Sequence, residues 1–195
     1  MTTIGVLALQ GDVREHLSVL ERIGVTSVPV KTVTELHQVD GLIIPGGEST
    51  VISKLAKIFG MFDPIKQAIH SGLPVFGTCA GLIMLADEIL DSASGQESFG
   101  GLAVTVRRNA FGHQVDSFEA DLAFDGLPDP VHAAFIRAPI VEHASAQVEV
   151  LSRLEDGRIV GVRQDNVLGI SFHPEVTGET AIHEYFVNLV RQRNR

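Results

Sequence analysis

The chain has 195 residues, of which 45% are hydrophobic and 20% are charged, and its formal net charge is −9. That length and apolar content suffice for one substantial core, so we expect a single domain spanning residues 1–195. The negative charge argues against nucleic acid or an anionic membrane as a partner, and no apolar stretch approaches the roughly 20 residues that span a bilayer. With one cysteine and therefore no internal disulfide, a cytoplasmic protein is expected.

The first half of the chain alternates short apolar strands with amphipathic helices. Strands are predicted at residues 4–9, 25–30, 41–44 and 74–77, and helices at residues 13–23, 49–59, 62–71 and from residue 80 onward. This alternation is typical of the α/β class, in which a doubly wound, mostly parallel sheet carries helices on both faces. Ligands of such sheets bind at the carboxyl ends of the strands.

From about Leu102 the sequence becomes richer in strands. They are predicted at residues 102–106, 117–120, 131–136, 148–154, 158–163 and 167–172, and an amphipathic helix at 179–191 follows them. We therefore expect a smaller antiparallel β region beside the parallel sheet.

Cys79 lies within Gly-Thr-Cys-Ala-Gly at residues 77–81, between an apolar strand and an apolar helix. A residue at such a sharp turn is pushed out above the sheet, and the flanking glycines permit tight backbone angles and close packing. The helix that begins at Ala80 directs free N–H groups toward the sulfur, which favours the thiolate. Lone cysteines are more often small buried hydrophobes, but this setting predicts a nucleophile.

His173 and Glu175 follow the predicted strand at residues 167–172. A thiolate that attacks an amide or ester needs a base to move the proton and a third group to orient that base. Residues i and i+2 after a strand can face the same side, and Pro174 stiffens the link between them. The sequence therefore predicts a catalytic triad of Cys79, His173 and Glu175. A metal site is disfavoured, because no second His or Cys stands at ligand spacing.

The glycine-rich turn Pro-Gly-Gly-Glu-Ser-Thr at residues 45–50 follows one predicted strand and precedes a helix. Backbone N–H groups in such a turn, or at a helix start, can stabilise the oxyanion of a tetrahedral intermediate. Gly47 and Ala80 are the candidates for this oxyanion hole. The turn could instead bind a phosphate or be purely structural, although it lacks the Gly-Lys-Ser/Thr of nucleotide-binding loops.

Together, three motifs resemble those of class I, triad-type glutamine amidotransferases: Pro-Gly-Gly-Glu-Ser at residues 45–49, Gly-Thr-Cys-Ala-Gly at 77–81 and His-Pro-Glu at 173–175. Two further segments are similar to the glutaminase subunit of pyridoxal 5′-phosphate synthase: Leu-Gln-Gly-Asp-Val-Arg-Glu-His at residues 9–16 and Arg-Arg-Asn-Ala-Phe-Gly at 107–112. The resemblance covers essentially the whole chain and implies the flavodoxin-like fold of class I glutaminases.

The resemblance also implies a reaction, the hydrolysis of L-glutamine to L-glutamate and ammonia without a metal or cofactor. Cys79 would attack the amide and form a thioester, His173 would shuttle the proton, and Glu175 would orient the imidazole. Ammonia would pass through a tunnel to the synthase subunit of a hetero-oligomeric complex, which builds pyridoxal 5′-phosphate from a pentose phosphate and a triose phosphate. We expect docking of that subunit to activate the glutaminase by orienting the Gly46-Gly47 peptide.

The same resemblance assigns the binding of glutamine to Gly47, Glu48, Ser49, Arg108, Ile136 and Arg137. An arginine suits the α-carboxylate of the substrate, because its planar guanidinium can bind both oxygens. One departure is His113, where the pattern of the family has an arginine after Phe-Gly. It touches no triad position and so affects only a local contact.

Three other functions stay open. The chain could serve another amidotransferase such as imidazole glycerol phosphate synthase, which would share the triad and the glycine loop. It could belong to the cysteine proteases and chaperone-like hydrolases of similar fold, although a histidine commonly follows their nucleophile and Ala80 stands here. It could also be a non-catalytic regulatory protein, against which the intact Cys79, His173 and Glu175 argue.

Overall fold

The computed structural model describes residues 1–111 and 117–193. The strands of this part are β1 (Thr3–Leu7), β2 (Thr26–Val30), β3 (Gly41–Ile44), β4 (Val75–Thr78), β5 (Ala86–Leu90), β6 (Leu102–Arg107), β7 (Ser117–Leu122), β8 (Val131–Ile136), β9 (Ile140–Ala144), β10 (Glu149–Arg153), β11 (Ile159–Gln164) and β12 (Val167–Ile170). The helices are α1 (Val13–Arg22), α2 (Val33–Leu36), α3 (Ser49–Ile58), α4 (Phe62–His70), α5 (Ala80–Leu85), α6 (Pro174–Thr177) and α7 (Ala181–Arg193). Within the described ranges, no helix is both long and apolar enough to cross a membrane.

The larger sheet has the strand order β2-β1-β3-β4-β12-β11-β9-β6-β5, and β10 pairs with β11 outside this path. From β2 to β12 every neighbouring pair is parallel, and the sheet becomes antiparallel where β11 pairs with β12. A second, small sheet is the antiparallel pair of β7 and β8. The predicted doubly wound sheet with a smaller antiparallel region is confirmed, and its parallel part follows the 2-1-3-4-5 order of flavodoxin-like folds.

Two hydrophobic clusters cover the two faces of the parallel strands. Ile44 of β3 belongs to one cluster, together with Ile52 of α3 and other apolar side chains of α4 and α5. Ile43 belongs to the other, with Leu20 of α1 and Phe186 of α7. Successive strand residues point to opposite faces, so helices on both sides are needed to bury the continuous apolar runs of these strands.

Four short elements were not indicated by the sequence, namely α2, β5, β9 and α6. The chain passes from α5 directly into β5 at Ala86 without a glycine or proline to mark the change. At α6 the reason given for the closeness of His173 and Glu175 was wrong. His173 is the N-cap of α6 and Pro174 occupies its first turn, so the start of a helix, rather than the alternation of a strand, brings the two side chains together.

Candidate active site

The predicted glycine loop, Cys79 and His173 lie at the carboxyl ends of neighbouring parallel strands. Gly46 and Gly47 follow β3, Cys79 follows β4, and His173 follows β12. Backbone hydrogen bonds join these loops to their neighbours: the Asp12 N–H donates to the Gly46 carbonyl oxygen (3.0 Å) and the Cys79 N–H to that of Ile170 (2.9 Å). The site therefore lies where a doubly wound sheet places its ligands.

Cys79 occupies the turn between β4 and α5 with φ 50° and ψ −104°, a conformation that L-residues rarely adopt. The flanking glycines allow close packing there, because a Cβ on Gly81 would overlap the Ile44 carbonyl oxygen and one on Gly77 would lie 2.5 Å from the carbonyl carbon of Gly81. The sulfur lies 3.9 Å from the Ile136 carbonyl oxygen, and 7% of the residue is exposed. The sharp turn between strand and helix at Cys79 was thus predicted from the sequence, and in the structure only a small part of this residue is exposed to solvent.

His173 stands between Cys79 and Glu175. Its Nδ1 lies 2.6 Å from Glu175 Oε1, the length of a charge-assisted hydrogen bond, and its imidazole is within hydrogen-bonding reach of the Cys79 side chain. The His173 N–H donates to the Ala134 carbonyl oxygen at 2.9 Å, which fixes the backbone of the residue. With Nδ1 occupied by Glu175, Nε2 is the ring nitrogen that is left for the sulfur.

The charge state of His173 depends on both neighbours. Burial works against the imidazolium, but hydrogen bonds and charges from Cys79 and Glu175 outweigh it and raise the pKa of His173 to about 10. Burial raises the pKa of Glu175, and the hydrogen bond from His173 opposes that rise. At neutral pH this arrangement favours a protonated His173 between Cys79 and Glu175.

Asp12 lies on the open side of this pair, and its Oδ2 is 3.5 Å from His173 Nδ1. Asp12, His173 and Glu175 could together hold a metal ion, since one ligand atom of each lies within 4.8 Å of the others. The 2.6 Å separation of His173 and Glu175 is that of two groups sharing a proton, so the contact is accounted for without an ion.

Two buried histidines lie behind Glu175. His16 Nδ1 is 2.8 Å from His183 Nε2, and His16 Nε2 lies 3.2 Å from Thr78 Oγ1 and 3.7 Å from Glu175 Oε1. Burial, with the nearby His183 and His173, lowers the pKa of His16 well below its usual value, and burial lowers the pKa of His183 to about 3. Two neutral rings satisfy these contacts best when His183 Nε2–H donates to His16 and His16 Nε2–H faces Thr78 and Glu175.

The residues predicted to bind glutamine fall into two groups. Glu48 and Ser49 lie at the start of α3, where the Glu48 N–H donates to Gln10 Oε1 at 2.8 Å and Ser49 is buried. Arg108 is linked to Ser49 through the side chain of Gln96.

Ile136 ends β8, with its carbonyl oxygen near the sulfur, and Arg137 follows the strand. Arg137 is exposed and has a φ of 46°, a left-handed conformation that is uncommon for residues other than glycine. The Ala110 N–H donates to the Ala138 carbonyl oxygen at 3.2 Å, which brings the segments of Arg108 and Arg137 side by side. These two contacts connect the segments of Arg108, Ile136 and Arg137 to Cys79.

Sequence reasoning assigned no role to the residues that support this site: Gln10, Asp12, His16, Gln96 and His183. For Gln10, Asp12 and His16 a signal was present, because they lie in the segment at residues 9–16 that was singled out as similar to the family. Gln96 and His183 carry no local pattern that distinguishes them from ordinary surface or core residues. Gly112 and His113, singled out in the sequence, lie outside the described residues.

The α/β sheet, the cysteine at the elbow after β4 and the histidine–glutamate pair after β12 agree with the resemblance to class I glutamine amidotransferases that the sequence motifs indicate. A solved structure described as a glutamine amidotransferase matches with a TM-score of 0.90 at 47% identity, covering 96% of this chain and 98% of that one. The chain belongs to the SNO glutamine amidotransferase family, whose model matches residues 6–192.

Relatives carry a more specific name. The chain is 58% identical over 191 residues to the pyridoxal 5′-phosphate synthase subunit PdxT of Leifsonia xyli subsp. xyli, covering 97% of this chain and 96% of that protein. It is 57% identical over 194 residues to the subunit of the same name from Nocardia farcinica, covering 97% of this chain and 86% of that protein.

Proposed function

We propose that this chain is the glutaminase subunit of a pyridoxal 5′-phosphate synthase, hydrolysing L-glutamine and delivering the ammonia to the synthase subunit. The observation that carries this proposal is the contact of His173 with Glu175 at 2.6 Å, with Cys79 within reach of the same ring. Membership of the glutamine amidotransferase family and the names of the relatives support the substrate and the partner. The chain acts as one domain and works in the cytoplasm in this proposal.

In the first half of the reaction the Cys79 thiolate attacks the side-chain carbonyl carbon of glutamine. The tetrahedral intermediate collapses as the C–N bond breaks, and the proton on His173 Nε2 moves to the leaving nitrogen, so that ammonia departs and a thioester remains. The raised pKa of His173 suits this step, because the ring is protonated at neutral pH.

In the second half His173 acts as a base. Once Cys79 is a neutral thioester it no longer stabilises the imidazolium, so burial, which lowers the pKa of His173, is opposed mainly by Glu175. The neutral ring takes a proton from water, hydroxide attacks the thioester, and the C–S bond breaks to release glutamate. The thiolate and the imidazolium are then restored, so the change in charge of Cys79 switches the same ring from acid to base.

The N–H groups of Gly47 and Ala80 form the oxyanion hole in this proposal. Ala80 is the first residue of α5, so its N–H is not used by the ladder of the helix itself. The peptide between Gly46 and Gly47 is pinned through the Gly46 carbonyl oxygen, which accepts from the Asp12 N–H at 3.0 Å. Docking of the synthase subunit that broke this bond would allow the peptide to rotate, which is the physical basis for expecting partner-dependent activity.

Substrate binding is assigned to Gly47, Glu48, Ser49, Arg108, Ile136 and Arg137. The guanidinium of Arg108 suits the α-carboxylate of glutamine, and the main chain of Ile136 lies beside the sulfur. Ammonia released at Cys79 would pass to the synthase subunit, which uses it as a substrate.

The test is a glutaminase assay of the chain with and without the pyridoxal 5′-phosphate synthase subunit, joined to mass spectrometry of Cys79. We expect ammonia release to rise on adding that subunit and a glutamine-derived thioester to be trapped on Cys79. A Cys79→Ala variant serves as the control without nucleophile.

Stimulation by the imidazole glycerol phosphate synthase partner instead would assign the chain to another amidotransferase. Full biological activity of Cys79→Ala would favour a non-catalytic role. Equal rates with and without the synthase subunit would contradict partner-dependent activation while leaving hydrolysis itself in place.

A further inference from the structure

A polar segment at residues 95–98 is fastened along one face of α3. Ser49, Ser53 and Lys57 stand four residues apart on that helix and so share a face. Ser53 Oγ donates to the Glu97 carbonyl oxygen at 2.9 Å, and Lys57 Nζ lies 2.6 Å from Glu97 Oε1 and 3.3 Å from the Gly95 carbonyl oxygen. These contacts leave the side chain of Gln96 pointing at the first turn of α3, beside the glycine loop.

The Gln96 side chain joins two of the residues assigned to substrate binding. Its Nε2 donates to Ser49 Oγ at 2.9 Å, and its Oε1 accepts from Arg108 Nη1 at 3.1 Å. The Ala93 N–H donates to the same Oε1 at 3.3 Å. Because both ends of the amide are used, its orientation is fixed, with the carbonyl toward the guanidinium and the amino group toward the serine.

We infer that Gln96 is a positioning residue for glutamine binding, which aims the Arg108 guanidinium and the Ser49 hydroxyl at the substrate. This inference rests on the proposed function, since it takes Arg108 and Ser49 as binding residues. A neutral amide suits this place for a physical reason. It occupies one of the five N–H donors of Arg108 without cancelling its charge, so the guanidinium stays free to bind a carboxylate.

The hydrogen bond from Gln96 to Ser49 also prepares a substrate-binding group. Ser49 Oγ accepts its hydrogen bond from Gln96, so the proton of the hydroxyl remains available to donate to the substrate. Arg108 is a long, flexible side chain, and holding it before glutamine arrives reduces the rotamer freedom that would otherwise be lost on binding.

The test compares Gln96→Ala with Gln96→Glu in the complex with the synthase subunit, measuring KM for L-glutamine separately from kcat. With Gln96→Ala we expect KM to rise roughly 10-fold, the lower range for losing one hydrogen bond to a charged group, and kcat to change less than about twofold. With Gln96→Glu we expect a larger rise in KM, because a carboxylate would neutralise Arg108 and could not donate to Ser49.

The order of the two variants separates positioning from a merely structural role. If Gln96 only held the segment in place, the glutamate variant, which keeps the shape and the acceptor, would be the milder change. Glu97→Gln is the matched control: it weakens the contact with Lys57 in the same segment, keeps the main-chain bond to Ser53, and is expected to leave KM unchanged.

An unchanged KM in Gln96→Ala, a milder effect of Gln96→Glu, or an equal rise in KM with Glu97→Gln would overturn the inference while the proposed function stood. A wild-type complex that releases no ammonia from glutamine would overturn both.

Discussion

Replacing Gly46 by alanine tests how strictly the glycine loop and the imidazole of His173 depend on each other. A Cβ at Gly46 would overlap Cε1 of His173 and lie 3.0 Å from both His173 Nδ1 and Asp12 Oδ2. Gly46 does not have a left-handed φ, so the backbone accepts alanine and the whole effect comes from this contact. The imidazole cannot keep both its hydrogen bond to Glu175 and its place beside Cys79.

The magnitude follows from the overlap. Carbon atoms in contact are about 3.5–4.0 Å apart, so the ring must move by roughly 1 Å, and a displacement of that size costs about 100-fold in rate. Overpacking at one methyl group costs about 1–3 kcal/mol of stability. We therefore expect Gly46→Ala to remain folded and to lose about 100-fold in kcat/KM for glutamine.

The assay is glutaminase activity in the complex with the synthase subunit, with thermal unfolding of the same sample. Gly60→Ala is the control, because Gly60 has φ +67° with nothing within 4 Å of its Cβ position. Gly60→Ala is expected to reduce stability by about 1–2 kcal/mol, because alanine disfavours the left-handed backbone there, and to leave kcat/KM unchanged. Gly46→Ala with activity within about threefold of wild type would refute the assigned role of His173 or its position beside the loop.

Three further predictions concern the candidate active site and the buried residues behind it. Glu175→Gln should lower kcat by about 100-fold and lower the pKa of His173, because the carboxylate that orients and charges the ring is lost, so the alkaline limb of the pH–rate profile should move to lower pH; an unchanged profile would contradict it. Phe186→Ala should reduce the free energy of unfolding in urea by about 3–5 kcal/mol, because its fully buried ring projects from α7 and packs against Phe76 of β4. His183→Leu should make stability depend less on pH in the acid range. Because the pKa of His183 is lowered to about 3 in the folded protein, the unfolded chain binds a proton at this residue that the folded chain does not. The free energy of unfolding of the wild type should therefore fall as pH falls below about 6.5, by about 1.4 kcal/mol per pH unit. Equal slopes between pH 6 and 4 in wild type and variant would show that His183 is not the group responsible.

The parallel half of the fold was predictable because its strands are short apolar runs with recognisable ends. The run Gly-Leu-Ile-Ile of β3 is apolar without alternation, as a strand buried on both faces requires, and Pro-Gly-Gly marks where it ends. Since the carboxyl ends of parallel strands meet at one edge, the loops carrying Gly47, Cys79 and His173 could be placed together without coordinates. The sequence offered no such rule for β5, which follows α5 without a turn residue and pairs with β6, or for β9, which pairs with β6 and β11.

The supporting residues were hidden for a different reason. Gln96 lies in a polar segment whose sequence resembles an ordinary loop. Its proposed positioning role depends on two hydrogen bonds, one to Ser49, which is 47 positions away in sequence, and one to Arg108, which is 12 positions away. His16 and His183 stand 167 positions apart, each on a helix where a lone histidine can be either exposed or buried. A buried polar group is stable only when its partners are present, and no local pattern carries the identity of a partner on another element. The sequence could therefore supply the predicted triad, including Glu175 beside His173, while supporting groups such as Gln96 and His183 became visible only through packing.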